Sequence, residues 1–581
     1  MSRARPLGGL SMDPRQHPTC RLSCLHSQLR PDDADDDDDL ILASNNCKLV
    51  AEDAAVSTMR PLSRSGLRLY VCRSCRRDLQ PGRRAFSSSS KPSQRPDIYD
   101  IVCVGGGPAG LGLLAALRSS PITSKLRIAL IESQDLSKAR SWNLEPTQFS
   151  NRVSSLTPSS VSFLKDIGVW EHVDGARVQP YQEMQVWDGE TGARISFDWS
   201  LEPQSIQAQT IATMTENLNL TRGLIASIES SGNDLSIFSG TSVSAITNGE
   251  DYADGPDLSS WPVLTLKHTS PTSTLPAPPT IAARLLVGAD GINSPVRSFA
   301  SISTDGWDYD RHGLVATLNT SPQGHTPGPD IRTAYQRFLP GLGGPIAFLP
   351  LPDNHATLVW STTVRNAAYL KSLPTDAFTA MVNAAFRLSM TDLKYMFTLP
   401  TSLSAASSVD SAASDPASTA PSTEHADELA WRLQHTPIPS YVPPTVTSVQ
   451  LGTVASFPLR HRHASTYISP RIALVGDAAH VIHPLAGQGL NLGMGDVASL
   501  FRAIEYSVRH GMDIGDLLSL ERYAAERYLV NAKIGGACDL LHKAYNVPGN
   551  GPVAWGRSLG LNIVDRLPML KGFIMKIAAG A

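Results

Sequence analysis

The residues DIYDIVCVGGGPAGLGLLAALRSS at 97–120 constrain the fold more than any other stretch of the chain. An apolar strand-like run is followed at once by three glycines, and the leucines after them recur at helical spacing. This is GxGxxG in the strand–turn–helix setting that gives the pattern meaning. Gly105 permits the tight turn, Gly107 lets a pyrophosphate approach the backbone, and Gly110 lets helix and strand pack closely. A second strand at 126–131 leads into Glu132, 22 residues after Gly110, where a carboxylate can accept both ribose hydroxyl hydrogens. An acid there disfavours a 2′-phosphate, so the adenosine of FAD or NAD fits better than that of NADP.

Two further stretches end a buried strand in glycine and an acid. ARLLVGADG at 283–291 closes on Asp290 and Gly291 and runs into NSPVR, while RIALVGDAAHVIHPLAGQGLNLGMGDVASL at 471–500 closes its strand on Gly476 and Asp477. Ligands of α/β sheets sit outside the carboxyl ends of the strands, so all three ends can serve one elongated cofactor. Glycines at 476, 487, 489, 493 and 495 let backbone amides approach a flat or phosphorylated ligand. From about Leu490 the pattern turns helical, which aims free amides and a positive dipole end at whatever Asp477 holds.

The remaining segments are less specific. Arg152 stands in a polar turn and can reach a pyrophosphate or serve as a surface arginine; Asn217 and Arg222, where a helix opens, are cofactor contacts or merely a cap and a surface residue. MQVWDGETGARISFDW at 184–199 reads as a hairpin of a second, sheet-built domain, and 313–360 is strand-rich. In the latter, Tyr335, Phe338, Phe348, Leu349, Leu351 and Trp360 either floor a substrate cavity or pack a core. Residues 401–427 are a Ser/Ala-rich insertion expected to be disordered. Neither Cys72 and Cys75 nor His461 and His463 have companions at metal spacing, so no metal is expected. The tail, 559–581, caps the core or lies on a membrane surface.

The 581 residues, 41% hydrophobic and 18% charged, suit a soluble protein with large cores, and a net charge of −3 argues against nucleic acid as a partner. No run of about 18 apolar residues is present, which leaves peripheral attachment as the membrane option. Residues 1–58 hold a run of aspartates and read as a disordered acidic extension. From Met59 the character inverts: eight arginines against one acid, Asp78, and a terminal serine run make 59–90 a mitochondrial transit peptide, with cleavage near Arg84-Ala85-Phe86. Five of seven cysteines precede the first strand, which suits a reducing compartment without structural disulfides.

GGGPAG at 105–110, GADGINSPVR at 288–297 and VGDAAHVIHPLAGQGLNLG at 475–493 together resemble the FAD-dependent aromatic hydroxylases built like para-hydroxybenzoate hydroxylase. RVSSLTPSSVSFLKDIGVW, GWDYDRHGLVATL, AYQRFLPG and FPLRHRHASTY narrow the resemblance to the mitochondrial ring hydroxylases of ubiquinone (coenzyme Q) biosynthesis, of the C5-position type. The resemblance covers about residue 98 to the end apart from 401–427. It implies an α/β fold: a Rossmann-like FAD-binding domain, an interleaved antiparallel β-sheet substrate domain and a C-terminal helical segment. FAD-binding parts are then expected at 98–183, 211–300 and 461–520, the substrate hairpin at 184–210, the substrate sheet at 301–460 and C-terminal helices at 521–581.

By the same resemblance Gly105, Gly107, Gly110 and Glu132 hold the ADP half of FAD, and Asp477 beside Gly476 bonds the ribityl chain. Asp290, next to Gly291, bridges the FAD and reductant sites, and Pro484, Gly487, Gln488, Gly489, Leu490 and Asn491 line the isoalloxazine. The implied reaction is hydroxylation of a polyprenylated phenol or benzoate by O2 through a flavin C4a-hydroperoxide, so the cofactor carries the chemistry. His480 and His483 are candidates for proton transfer or for structural roles. Electrons would come from ferredoxin and its reductase or from NAD(P)H, with the protein on the matrix side of the mitochondrial inner membrane in a ubiquinone-biosynthesis complex. The rival readings are a prenyl-lipid flavin reductase, a flavin halogenase, whose Trp-x-Trp-x-Ile-Pro signature is absent, and a non-catalytic FAD-fold prenyl-lipid binding protein.

Overall fold

The computed structural model describes residues 95–198, 210–232, 235–252, 255–270, 279–321, 332–401, 424–547 and 551–567. The acidic extension, the transit peptide with its cleavage site, Cys72 and Cys75 lie outside the described residues, as do most of 401–427 and the end of the tail.

Strand β1 (Asp97–Val104) leads through the glycines into helix α1 (Pro108–Ser119). Strand β2 (Ile128–Glu132) starts two residues later than its apolar pattern suggests, because the Leu126 amide closes a turn on the Thr123 carbonyl. Helix α2 (Asn217–Ser230), strands β3 (Ile281–Gly288) and β4 (Ile472–Leu474), and helices α3 (Gly489–Arg509), α4 (Leu517–Asn546) and α5 (Pro552–Arg566) complete the frame. The sheet runs β4, β3, β1, β2, all parallel, with Leu235–Ser239 parallel beyond β2. Helix α1 packs against α2 and α3, so both of its flanks are covered, and Ile101, Leu113, Leu114, Leu130 and Leu286 are fully enclosed. Each such side chain contributes about 1.5–3 kcal/mol by leaving water.

A nine-stranded sheet forms the second layer, ordered His480–Val481, Ala455–Ala464, Thr304–Thr320, His355–Thr363, Gly344–Leu351, Thr333–Leu339, Glu183–Asp188, Arg194–Asp198, with Val446–Val449 also on Thr304–Thr320. The pattern predicts an antiparallel sheet, and one junction departs from it: Glu183–Asp188 lies parallel to Thr333–Leu339, as strands far apart in sequence can. Helix Thr375–Arg387 buries Phe386 against this sheet beside Phe348 and Trp360, which are core residues and do not floor a cavity. Phe338 stacks on Tyr545 of α4 with 3.7 Å between ring centroids.

A small antiparallel sheet of Val153–Leu156, Ala212–Glu216 and Val178–Tyr181 lies between the expected elements and has no clear signal in the sequence. Its Glu216 is fully buried and paired by Arg177 at 2.6 Å. Residues 424–427, read as the end of the low-complexity insertion, form the first turn of helix Glu424–His435. Leu429 on that helix is buried, and His425 bonds the Tyr369 hydroxyl at 2.7 Å, so tertiary contact organises a segment whose composition is polar.

Candidate functional site

The register of the first sheet sets the three glycine-bearing strand ends side by side, two of them carrying an acid. Val104 of β1 pairs with Gly288 of β3, and Gly288 with Leu474 of β4, so the chain leaves all three strands at one edge. There Gly105 takes φ +108°, and a Cβ on it would stand 2.2 Å from the Ala289 carbonyl oxygen. A Cβ on Gly110 would stand 2.0 Å from the Gly105 oxygen, so both positions exclude any side chain. Gly107 has open space around it and begins α1 without a side-chain cap or an acid in the first turn. The amides and dipole of α1 are therefore available to a phosphate.

Glu132 accepts from the Gly106 amide through Oε2 and from the Gln134 amide at 2.6 Å through Oε1. A Cβ on Gly106 would lie 2.9 Å from Glu132 Cγ, which explains the middle glycine that the GxGxxG pattern leaves unspecified. Asp290 accepts from the Val296 amide at 3.2 Å through Oδ2, while Oδ1 is buried without a partner. Burial pushes the Asp290 carboxyl above its ordinary range, against Ser294, the Val296 amide and Arg297. Arg297 also donates to the Ala478 carbonyl at 2.8 Å and ties the β3 loop to the turn after β4.

In the run 472–480 only Asp477 is exposed. Solvent reaches its carboxyl, yet protein closes around most of it, and this desolvation raises its pKa, with His480 pulling the other way. Gly476 turns the chain there at φ +60°. Its amide donates to Asp496 of α3 at 3.1 Å, and Asp496 also receives His480 Nε2 at 2.6 Å, Arg527 Nε at 3.0 Å and Asn531 Nδ2 at 2.8 Å. Burial alone would raise the Asp496 carboxyl, but His480, Arg527 and Asn531 hold it below the usual carboxylate range. Sequence reasoning missed Asp496. The available signal was an acid at helical core spacing, four residues after Leu492 and four before Leu500.

The glycine turn follows. Pro484–Ala486 form a single 3₁₀ turn, Gly487 takes φ +62°, and α3 begins after Gln488 with no side-chain cap and no acid in its first turn, at Gly489 and Leu490. Asn491 does not present its side chain to the cleft. Its Oδ1 accepts from the Thr157 amide at 2.9 Å and Ser160 Oγ at 2.8 Å, and its Nδ2 donates to the Ser155 carbonyl at 2.7 Å and the Gly487 carbonyl at 3.1 Å. The side chain clasps the turn to Val153–Leu156. Arg152 and Asn217 flank that strand: Arg152 is exposed, and Asn217 donates its amide to the Arg152 carbonyl at 2.9 Å and accepts from Ser154 Oγ at 2.6 Å. Arg222 donates to Asn219 and the Trp142 carbonyl within its own neighbourhood.

His480 and His483 differ. His480 is held by Asp496, whereas His483 is fully buried, has neither ring nitrogen hydrogen-bonded, and lies against the rings of Tyr309 (5.1 Å) and His542 (4.6 Å). Burial, then His542, pushes His483 down to about 3, and burial with Arg311 pushes His542 down to about 4; His461 and His463 are lowered too. An unfolded histidine titrates near pH 6.5. Below that the unfolded chain binds more protons than the native one, so stability is complete above about pH 6.5 and falls steadily as the pH drops towards 4. Thermal melts across that window should show the decline, and His483→Asn with His542→Asn should flatten it; an unaltered slope would contradict the buried neutral pair.

The edge thus combines three carboxylates able to accept from hydroxyls with two uncapped helix starts able to receive anions, at the carboxyl ends of adjacent parallel strands. That set fits a long ligand carrying phosphates and polyol hydroxyls, and the unpartnered Asp290 oxygen leaves an acceptor for it.

The FAD binding domain family matches residues 99–367 and 415–535. The mitochondrial ubiquinone biosynthesis monooxygenase COQ6 of Schizosaccharomyces pombe is 38% identical over 499 residues, 85% of this chain and 94% of the relative. Its Saccharomyces cerevisiae counterpart is 37% identical over 84% of this chain and 95% of the relative, and the Homo sapiens protein 33% over 83% and 92%. Among solved structures, p-nitrophenol 4-monooxygenase PnpA of Pseudomonas putida superposes with a TM-score of 0.54 at 15% identity, covering 84% of this chain and 99% of that one. PqsL of Pseudomonas aeruginosa, a probable FAD-dependent monooxygenase, gives 0.53 at 20% identity, over 80% and 99%. These two share the fold.

Proposed function

Because this chain belongs to the family of mitochondrial ubiquinone biosynthesis monooxygenases, with an FAD binding domain, we propose that it hydroxylates the aromatic ring of a polyprenylated phenolic precursor of ubiquinone. The observation that carries the reading is the alignment of Gly105, Asp290 and Asp477 across β1, β3 and β4, which suits one extended FAD. When bound, FAD would supply the two-electron activation of O2, one atom of which goes to an electron-rich ring and the other to water.

The chain's own residues bind and orient. Gly105, Gly107 and Gly110 clear the approach to the amides of α1 for the pyrophosphate, and Glu132 takes the ribose hydroxyls. Asp477 takes the ribityl hydroxyls, and Asp290 offers its free oxygen towards the middle of the cofactor. The turn from Pro484 through Gly487, Gln488, Gly489 and Leu490 would hold the isoalloxazine, and the free amides at the start of α3 would favour negative charge on it. Asn491 positions that turn. His483, fully buried and held neutral against Tyr309 and His542, supports this turn as packing.

Its mitochondrial relatives and the prenylated substrate proposed for it support a place at the matrix side of the inner membrane, held peripherally; among the described residues no helix is long and apolar enough to cross a membrane. Its electrons come from a ferredoxin and its reductase or from NAD(P)H, and anaerobic flavin bleaching by each donor in turn decides between them. The test of the whole reading is oxygen incorporation: purified yellow protein, a reductant and a prenylated phenol under ¹⁸O2 should yield a ring-hydroxylated product carrying one labelled oxygen. Protein that purifies without flavin, or product without label, would defeat it.

A further inference from the structure

Helix α5 turns a mixed polar and apolar side inward and leaves further apolar side chains outside. Polar groups anchor its inner side: Arg557 is buried and pairs with the fully buried Asp188 at 2.8 Å and with Glu190 at 3.1 Å, and Asp565 accepts the Ser196 amide at 3.2 Å. Its outer side carries Trp555, Leu559 and Ile563, one turn apart, with Trp555 71% exposed. Helix α4 adds Leu529, Val530, Leu540 and Leu541, with Leu540 69% exposed. An apolar face this continuous is unusual on a soluble surface.

From Arg527 onward the exposed charged residues of α4 and α5 are cations. Between Arg527 and Leu567 the only acids are Asp539 and Asp565; Asp539 is buried on Tyr309 and Lys543, and Asp565 is turned to Ser196. Lys533, Lys543 and Arg566 are the exposed charges of the same stretch. Behind the face, Leu561 and Val564 of α5 close an apolar cluster with Ile195, Phe338 and Tyr545 that Leu485 of the glycine turn joins. The patch therefore backs onto the site that would hold the ring.

We propose that the outer faces of α4 and α5 form the surface by which this protein lies on an anionic phospholipid bilayer, with Trp555, Leu559 and Ile563 entering the headgroup–acyl boundary and Lys533 and Arg566 meeting lipid phosphates. The assignment rests on the reading that the substrate is a prenylated lipid. A cation-rimmed apolar face matches an anionic interface in both terms of binding, apolar burial and charge. A second copy would bring like charges together.

The experiment is co-sedimentation of the full chain with phosphatidylcholine vesicles and with phosphatidylcholine–phosphatidylglycerol vesicles, beside the triple variant Trp555→Ser, Leu559→Ser, Ile563→Ser. The expected result is tighter partition onto the phosphatidylglycerol vesicles and a loss of about tenfold or more in the variant, whose flavin content and melting temperature stay unchanged because these side chains are exposed. Its hydroxylation of a vesicle-held prenylated phenol should fall further than that of a soluble tailless phenol. Three results would overturn the proposal: unchanged partition of the triple variant, equal partition onto both vesicle types, or a wild-type dimer that the substitutions dissociate. Loss of partition on removing residues 568–581 with the triple variant unaffected would assign docking to that segment instead. Failure of the wild type to hydroxylate any phenol would sink the functional reading alone, since vesicle partition is read without turnover.

Discussion

Asp477→Ala is expected to leave a folded protein that no longer retains FAD. The side chain is the exposed member of an otherwise buried run, so its removal opens no core cavity, and the melting temperature of the flavin-free protein should move little. The cofactor loses a charge-assisted acceptor for its ribityl hydroxyls, a contact of about 1.5–3 kcal/mol, or roughly ten- to a hundredfold in affinity. The ratio of flavin to protein absorbance after gel filtration is the measurement. Asp477→Asn, which keeps an acceptor without the charge, should fall between wild type and alanine. Full flavin occupancy in the alanine variant would remove Asp477 from the site.

Asp496→Ala should fail in the opposite way, through the fold. This carboxylate is fully buried and receives the Gly476 amide, His480, Arg527 and Asn531, so its loss strands the Arg527 guanidinium and three further donors in the interior. Breaking a buried pair on one side costs about 3–5 kcal/mol, a large part of the 5–15 kcal/mol that holds a domain together. Flavin should be lost as a consequence, because the Gly476 turn that aims Asp477 is itself held by Asp496. Denaturant midpoints separate the two variants: a large shift for Asp496→Ala and little for Asp477→Ala. Asp496 is held below the usual carboxylate range, so its stabilisation is present above the unfolded carboxylate value near 4 and is lost only as the pH falls below that. Acid weakening between about pH 6.5 and 4 belongs to the buried histidines instead. An Asp496→Ala protein with wild-type stability would show that the network is dispensable.

Much of the cofactor edge is legible before any coordinates, because its requirements are local. A turn that brings Gly105 within 2.2 Å of a carbonyl, measured from a Cβ it lacks, admits no other residue, and the apolar runs before Asp290 and Asp477 announce buried parallel strands. Other assignments depend on partners distant in sequence. Asn491 belongs visibly to the glycine turn, but only its bonds to Ser155, Thr157 and Ser160 show the side chain spent on clasping it. Phe348 and Trp360 suit a cavity floor or a core equally well until helix Thr375–Arg387 is seen to cover them. The sheet of Val153–Leu156, Ala212–Glu216 and Val178–Tyr181 was illegible because its strands are short and their buried charges, Arg177 and Glu216, look like surface residues.

Sequence alone therefore determined the strands and helix starts of the cofactor edge and the class of ligand they serve, since glycine sterics and apolar periodicity act within a few residues of where they are read. Tertiary structure decided what those elements face. Periodicity gives α5 more than one apolar stripe; the buried Arg557–Asp188 pair, 369 residues apart in the sequence, decided that Leu561 and Val564 turn inward and Trp555 outward. The same holds for Asp496 and His483, whose burial and partners come from chain segments brought together only by packing, where desolvation sets the charge each carries.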